Sequence, residues 1–159
     1  MKKTKLSFTL VELIISISIL SLISVFLFFY ISSNKIKKSY LKKDADLIKQ
    51  VLITAKERAI LNKENLPWGV YFQNNTTTVD SFYIFKSYFF TTETIEKKYD
   101  LYNKNEFYIP PPGSSTIIIF SKSKGETATN SLIVIKSDDN QFTATITIDT
   151  LGNIDLEIN

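Results

Sequence analysis

From Phe8 to Ile31 the chain reads FTLVELIISISILSLISVFLFFYI, 24 residues in which Glu12 is the single charge. A carboxylate in so apolar a run costs roughly 2.5–3.5 kcal/mol on insertion scales, so its presence points to a task. A lone charge in such low-dielectric surroundings is expensive, which makes Glu12 a functional candidate by default. The bland alternative is a side chain that snorkels to the headgroups, since Glu12 lies only four positions from Phe8. Other chemistry is scarce. The sequence has no Cys and no His, which removes disulfides, thiolate nucleophiles, the usual general base and the commonest metal ligands. No catalytic constellation, metal site or cofactor is expected.

The charge pattern also argues against nucleic acid as the main partner. The net charge of +3 is accounted for by Lys2, Lys3 and Lys5, and beyond residue 7 the 16 remaining Lys and Arg (19 − 3) balance 16 Asp and Glu. Only Arg58 is an arginine, the residue best suited to bidentate phosphate and base contacts. Lys122, Lys124 and Lys136 near Phe120 could form a DNA-binding patch, but solvated surface lysines are the favoured reading. Asp138, Asp139, Asn140, Asp149, Asn153 and Asp155 could offer oxygens to calcium. Turns between strands account for the same residues without an ion, and no EF-hand spacing is present.

The elements that position Glu12 follow from composition and period. At ~1.5 Å per residue, residues 8–31 cover a ~30 Å hydrocarbon core and are too long for a secretory signal's apolar region. No Gly or Pro occurs before Pro67, so one helix is expected from Phe8 to about Asn62. Its membrane half is residues 8–31 and its extramembrane half residues 32–62. In the latter, Leu41, Ala45, Ile48, Leu52, Ala55 and Ala59 recur at spacings of four and three, a stripe expected to pack on the protein's own sheet.

Residues 63–159 read as a β-rich domain. Strands are expected at Trp68–Gln73, Phe82–Phe90, Thr116–Phe120, Leu132–Lys136, Phe142–Asp149 and Asn153–Ile158, all rich in β-branched and aromatic residues. Thr91–Lys104 reads as a loop or short helix, and Pro110-Pro111-Pro112-Gly113 as a stiff connector. The aromatic group Phe82, Tyr83, Phe85, Tyr88, Phe89 and Phe90 reads as sheet core.

A short Lys-rich leader, a small residue and then Phe8-Thr9-Leu10-Val11-Glu12 opening a long apolar helix together resemble the class III signal of type IV pilins and pseudopilins. The match covers residues 2 to about 31. It implies a leader of residues 1–7, cleaved between Ser7 and Phe8 by a prepilin peptidase, and methylation of the new amine on Phe8. Ser7 stands where the family usually has Gly, and is small enough for a tight cleavage pocket. The resemblance further implies that Glu12 neutralises the Phe8 amine of a neighbouring subunit and fixes axial register. The order of the later segments, AKERAILNKENLPWGVYF and TITIDTLGNIDL, resembles minor pseudopilins of the GspH/FimT type. The implied fold is α+β and pilin-like, a long N-terminal transmembrane helix packed on an antiparallel sheet. The implied role is that of a non-enzymatic filament subunit. Its expected partners are other pilin or pseudopilin subunits, the peptidase and an inner-membrane assembly platform. Its body is expected in the periplasm, and a DNA- or surface-binding pilin is the alternative.

Co-expression with a prepilin peptidase is expected to shorten the chain by the seven residues Met1–Ser7 and leave a methylated Phe8. Intact-mass spectrometry checks this, and an unshortened chain or a cut after Ser32 or Ser33 would contradict it.

Overall fold

The computed structural model describes residues 9–61, 65–102 and 105–159. The chain divides between Lys37 and Lys38 into two compact units, taken here in turn. Helix α1 is Leu10–Ile60. Its part in the first unit contains Leu10–Phe28, with mean hydropathy 2.6 and none of it buried inside the structure. That stretch is long and apolar enough to cross a membrane. Its serines would be poor guests in hydrocarbon if left open, but each hydroxyl donates to a carbonyl three or four residues back: Ser16 to Glu12 O (2.7 Å), Ser18 to Ile14 O (2.8 Å), Ser21 to Ser18 O (2.9 Å) and Ser24 to Leu20 O (2.8 Å). Polar side chains satisfied within their own helix remain compatible with a lipid-facing surface.

In the second unit the later part of α1 meets eight strands. β1 (Trp68–Gln73), β2 (Ser81–Lys86), β3 (Ile95–Asp100) and β5 (Ser115–Phe120) form one sheet in the order β3-β2-β1-β5. β4 (Asn105–Ile109), β6 (Ser131–Ser137), β7 (Thr143–Ile148) and β8 (Ile154–Ile158) form another, in the order β4-β6-β7-β8. Every pairing is antiparallel.

One hydrophobic core serves the helix and both sheets. The helical stripe Leu41, Ala45, Ile48, Leu52, Ala55 and Ala59 is entirely buried. It packs in one cluster with Trp68, Val70, Phe72, Phe82 and Ile118 of the first sheet and Phe107, Ile133, Ile135, Ala144 and Ile146 of the second. The Phe72 ring touches both sheets, stacking on Phe82 at 5.9 Å and meeting Phe107 edge-on at 5.7 Å. The small alanines late in the stripe let the sheets approach the helix closely. The helix end is closed from outside: Ser123 N donates to Ala59 O at 2.8 Å, satisfying one of the terminal carbonyls that the helix itself cannot.

Three buried polar residues join the pieces. Asp44 accepts from Tyr102 N (2.9 Å) and Asn105 Nδ2 (2.6 Å). Asp80 accepts from Asn75 N (2.6 Å) and Phe107 N (2.7 Å). Asn74 donates to Phe107 O and Pro110 O, both at 2.7 Å. β4 is thus tied to the β1–β2 turn through side chains. Burial pushes the carboxyls of Asp44 and Asp80 up from their ordinary values, against the pull of these hydrogen bonds.

The structure corrects several sequence-based expectations. The strand expected at Phe82–Phe90 ends at Lys86. The segment expected as a loop or short helix at Thr91–Lys104 holds a 3-10 turn at Thr92–Thr94 and then β3. Its Asn103 and Lys104, like Asn62 at the expected helix end, lie outside the described residues. β4 was not expected at all, and the expected antiparallel β-sheet domain consists of two four-stranded sheets. Both missed strands are sheet edges, and β3, reading IEKKYD, is too charged to show the apolar signal of a buried strand. The proline stretch ends in a turn, with Ser114 N donating to Pro111 O at 3.0 Å.

Two expectations follow. Leu52→Ala should destabilise the chain by about 2–5 kcal/mol, read as a lower unfolding midpoint in detergent by the fluorescence of Trp68, the single tryptophan, which is fully buried. Asp44, with its native pKa raised, contributes stability that is fully present below the unfolded-state pKa and is lost as pH rises through the folded one. Asp44→Asn should therefore gain in melting temperature relative to the parent as pH rises from about 3 to 7. A difference independent of pH would contradict the assignment.

Candidate functional site

Thr9 and Glu12 form a reciprocal N-terminal cap on α1. Thr9 Oγ1 accepts from Glu12 N at 3.3 Å, and Glu12 Oε2 accepts from Thr9 N at 2.9 Å and from Thr9 Oγ1 at 2.8 Å. The helix's first backbone bond, Leu13 N to Thr9 O, is 3.2 Å. The sequence T-x-x-E dictates this arrangement, because a threonine at the cap and a glutamate three residues on each satisfy a backbone N–H that the helix leaves open. A negative side chain in the first turn also complements the positive end of the helix dipole.

Both of these bonds use one carboxylate oxygen. Among the described residues, Glu12 Oε1 has no hydrogen-bond partner. The carboxylate is therefore held by its own helix while half of its accepting capacity stays open. Ser7 and Phe8, the expected cleavage and methylation positions, lie outside the described residues. Thr9 is the functional residue that sequence reasoning passed over, although the capping-box spacing announces it.

The other candidate groups are occupied locally. Asp149 accepts from Asn153 N and Asn153 Nδ2, both at 2.8 Å, and hydrogen bonds from Asn153 hold its carboxyl below the ordinary value. Asp139 accepts from Ser137 Oγ at 2.6 Å and from Gln141 N at 3.2 Å. These acids close the turns that flank β7. The three lysines are dispersed: Lys122 donates to Asn65 Oδ1, Lys124 faces Glu126 at 3.9 Å, and Lys136 on the second sheet faces Glu106 at 3.6 Å.

The aromatic group splits. Phe82 joins the main core. Phe85 is buried on the opposite face, where its ring lies over Gly69 so closely that a Cβ there would meet it at 2.7 Å. Phe90 stacks on Tyr71 at 3.8 Å and covers Phe85 edge-on at 5.4 Å. Tyr88 and Phe89 are exposed, contrary to a sheet-core reading. They follow Lys86 in a bend, where strand alternation no longer decides which face a side chain takes.

Residues 2–28 match the prokaryotic N-terminal methylation motif. No curated protein matches the chain. Among solved structures, the minor pseudopilin EpsH from the type 2 secretion system of Vibrio cholerae is similar, with a TM-score of 0.50 at 18% identity over 74% of this chain and 95% of that one. At that identity the likeness establishes the fold. The chain thus carries the N-terminal methylation motif at its start and shares the fold of that minor pseudopilin.

Proposed function

We propose that the chain is cleaved between Ser7 and Phe8 by a prepilin peptidase and methylated on the Phe8 amine. It then enters a type IV pilus or a type II secretion pseudopilus as a minor subunit. Before assembly, residues 8–31 hold it in the inner membrane with its body in the periplasm. Other pilin or pseudopilin subunits and an inner-membrane platform are its partners, and its role is structural.

The observation that carries this reading is the half-satisfied carboxylate of Glu12. Oε2 is engaged by Thr9, so the side chain is pre-oriented and loses little further freedom on pairing. Oε1 can accept from the cationic amine that cleavage creates on a neighbour's Phe8. In a filament core such a pair removes the cost of two lone charges, and breaking one partner of a buried pair costs about 3–5 kcal/mol.

Glu12→Gln separates the two jobs of this residue, because glutamine serves at the third position of a capping box but carries no charge. Glu12→Gln and Glu12→Leu should both insert and be cleaved, and both should lose incorporation into filaments. The measurement is the fraction of cleaved chain that co-purifies with the other filament subunits. Parental incorporation by Glu12→Gln would refute the intersubunit ion pair and leave Glu12 as a helix cap.

A further inference from the structure

Past the apolar run the character of the sequence changes abruptly. Of the twelve residues Ser32–Lys43, five are lysine and none is acidic. All twelve belong to α1. The first acid after them, Asp44, is buried and already accepts from Tyr102 N and Asn105 Nδ2.

Lys35 and Lys42 are exposed and have no hydrogen-bond or ion-pair partner among the described residues. Lys38 and Lys43 are exposed too, and what they touch are rings. Lys38 Nζ lies 5.5 Å from the centre of the Phe142 ring, and Lys43 Nζ 5.5 Å from that of Tyr40. A ring attracts a cation without cancelling its charge. By contrast, Lys98 and Lys136 meet Asp100 and Glu106 at 2.8 and 3.6 Å. The segment next to the apolar run therefore keeps its positive charge.

We propose that Lys35, Lys38 and Lys42 bind the anionic headgroups of phospholipids at the surface of the membrane that the apolar run crosses. The inference rests on the reading that residues 8–31 span a bilayer. Length along the helix decides which lysines take part. At ~1.5 Å per residue, Lys35 lies ~6 Å beyond Ile31, Lys38 ~10 Å, Lys42 ~16 Å and Lys49 ~27 Å. Headgroups occupy roughly 5–8 Å on each side of the hydrocarbon, and a lysine stem reaches back toward them. The attraction of an anionic surface fades over a Debye length of ~8 Å. Lys35 and Lys38 thus meet headgroups, Lys42 stands at the limit of reach and Lys49 is beyond it. No fixed geometry among the lysines is needed, because each ammonium meets its own lipid. Position selects a lipid over a soluble anion: the apolar run holds these residues against headgroups, at an effective concentration that a free anion does not match.

The test reconstitutes the full chain in vesicles of phosphatidylcholine and phosphatidylglycerol, with one or the other lipid spin-labelled. Electron paramagnetic resonance then reads the fraction of each label immobilised against the protein. Phosphatidylglycerol should be favoured several-fold at low ionic strength, and the preference should collapse at ~1 M salt, where the Debye length is ~3 Å. Lys35→Gln/Lys38→Gln/Lys42→Gln should lose at least half of the preference. The remainder is background from Lys2, Lys3 and Lys5, which is the same in both chains. Lys49→Gln should match the parent. Replacing chloride with inorganic phosphate at equal ionic strength should leave the preference in place, and its loss there would overturn the proposal in favour of a free-anion site. A triple variant as selective as the parent would overturn the proposal alone, since its immobilised phosphatidylcholine would show the span still in the bilayer. A chain that immobilises neither label and does not float with vesicles would overturn the span reading and the proposal together.

Discussion

A carboxylate inside a long apolar run needs partners, and the first unit of this chain supplies some of them from its own helix. Hydrogen bonds from Thr9 relieve part of the cost at Glu12, and the serines along the next turns are satisfied by carbonyls of the same helix. Among the described residues, what remains is an apolar helix with one carboxylate oxygen of Glu12 open near its start. Such an object suits a lipid bilayer, and the proposed pairing would give its carboxylate a cation at the same depth.

The second unit answers a different requirement, that a helix with a narrow apolar stripe be covered from two sides. Leu41, Ile48 and Leu52 supply the volume, while Ala45, Ala55 and Ala59 let the sheets approach. The connections are then fixed by polar contacts that water cannot replace. Asp44 holds Tyr102 and Asn105, while Asp80 and Asn74 hold the backbone of Phe107. Near the helix end, Gly152 comes so close to Gly125 O that a Cβ would lie 2.1 Å from it, and both glycines have positive φ. The loop that closes this end therefore has no room for a side chain at position 152, while a Cβ at position 125 would press on the Ile60 side chain at 2.8 Å.

Much of this is legible in the residues themselves. The apolar run, the absence of helix breakers before Pro67 and the four-and-three stripe give the helix and its buried face. Alternation in Phe142–Asp149 gives the inward face of β7, where Ala144, Ile146 and Ile148 are buried. The strands that escaped notice are edges. β3 has both faces polar enough to resemble a loop, and β4 lies between Asn103-Lys104 and a proline run. The division of the strands into two sheets is a matter of long-range pairing, which local pattern does not encode. At the site, the charge of Glu12 is conspicuous, whereas the role of Thr9 needs the spacing to be read as a cap rather than as part of a signal.

The proposed contact is between Glu12 and the Phe8 amine of a neighbouring subunit. It is tested most directly by solid-state NMR on filaments assembled from two populations, one labelled with nitrogen-15 phenylalanine and the other with carbon-13 glutamate. The amine nitrogen of Phe8 is distinguishable from amide nitrogens by its shift. The account predicts dipolar coupling between that nitrogen and a glutamate carboxyl carbon, at the roughly 4 Å separation of an ion pair. Filaments that contain the chain but show no such coupling between the two populations would contradict it.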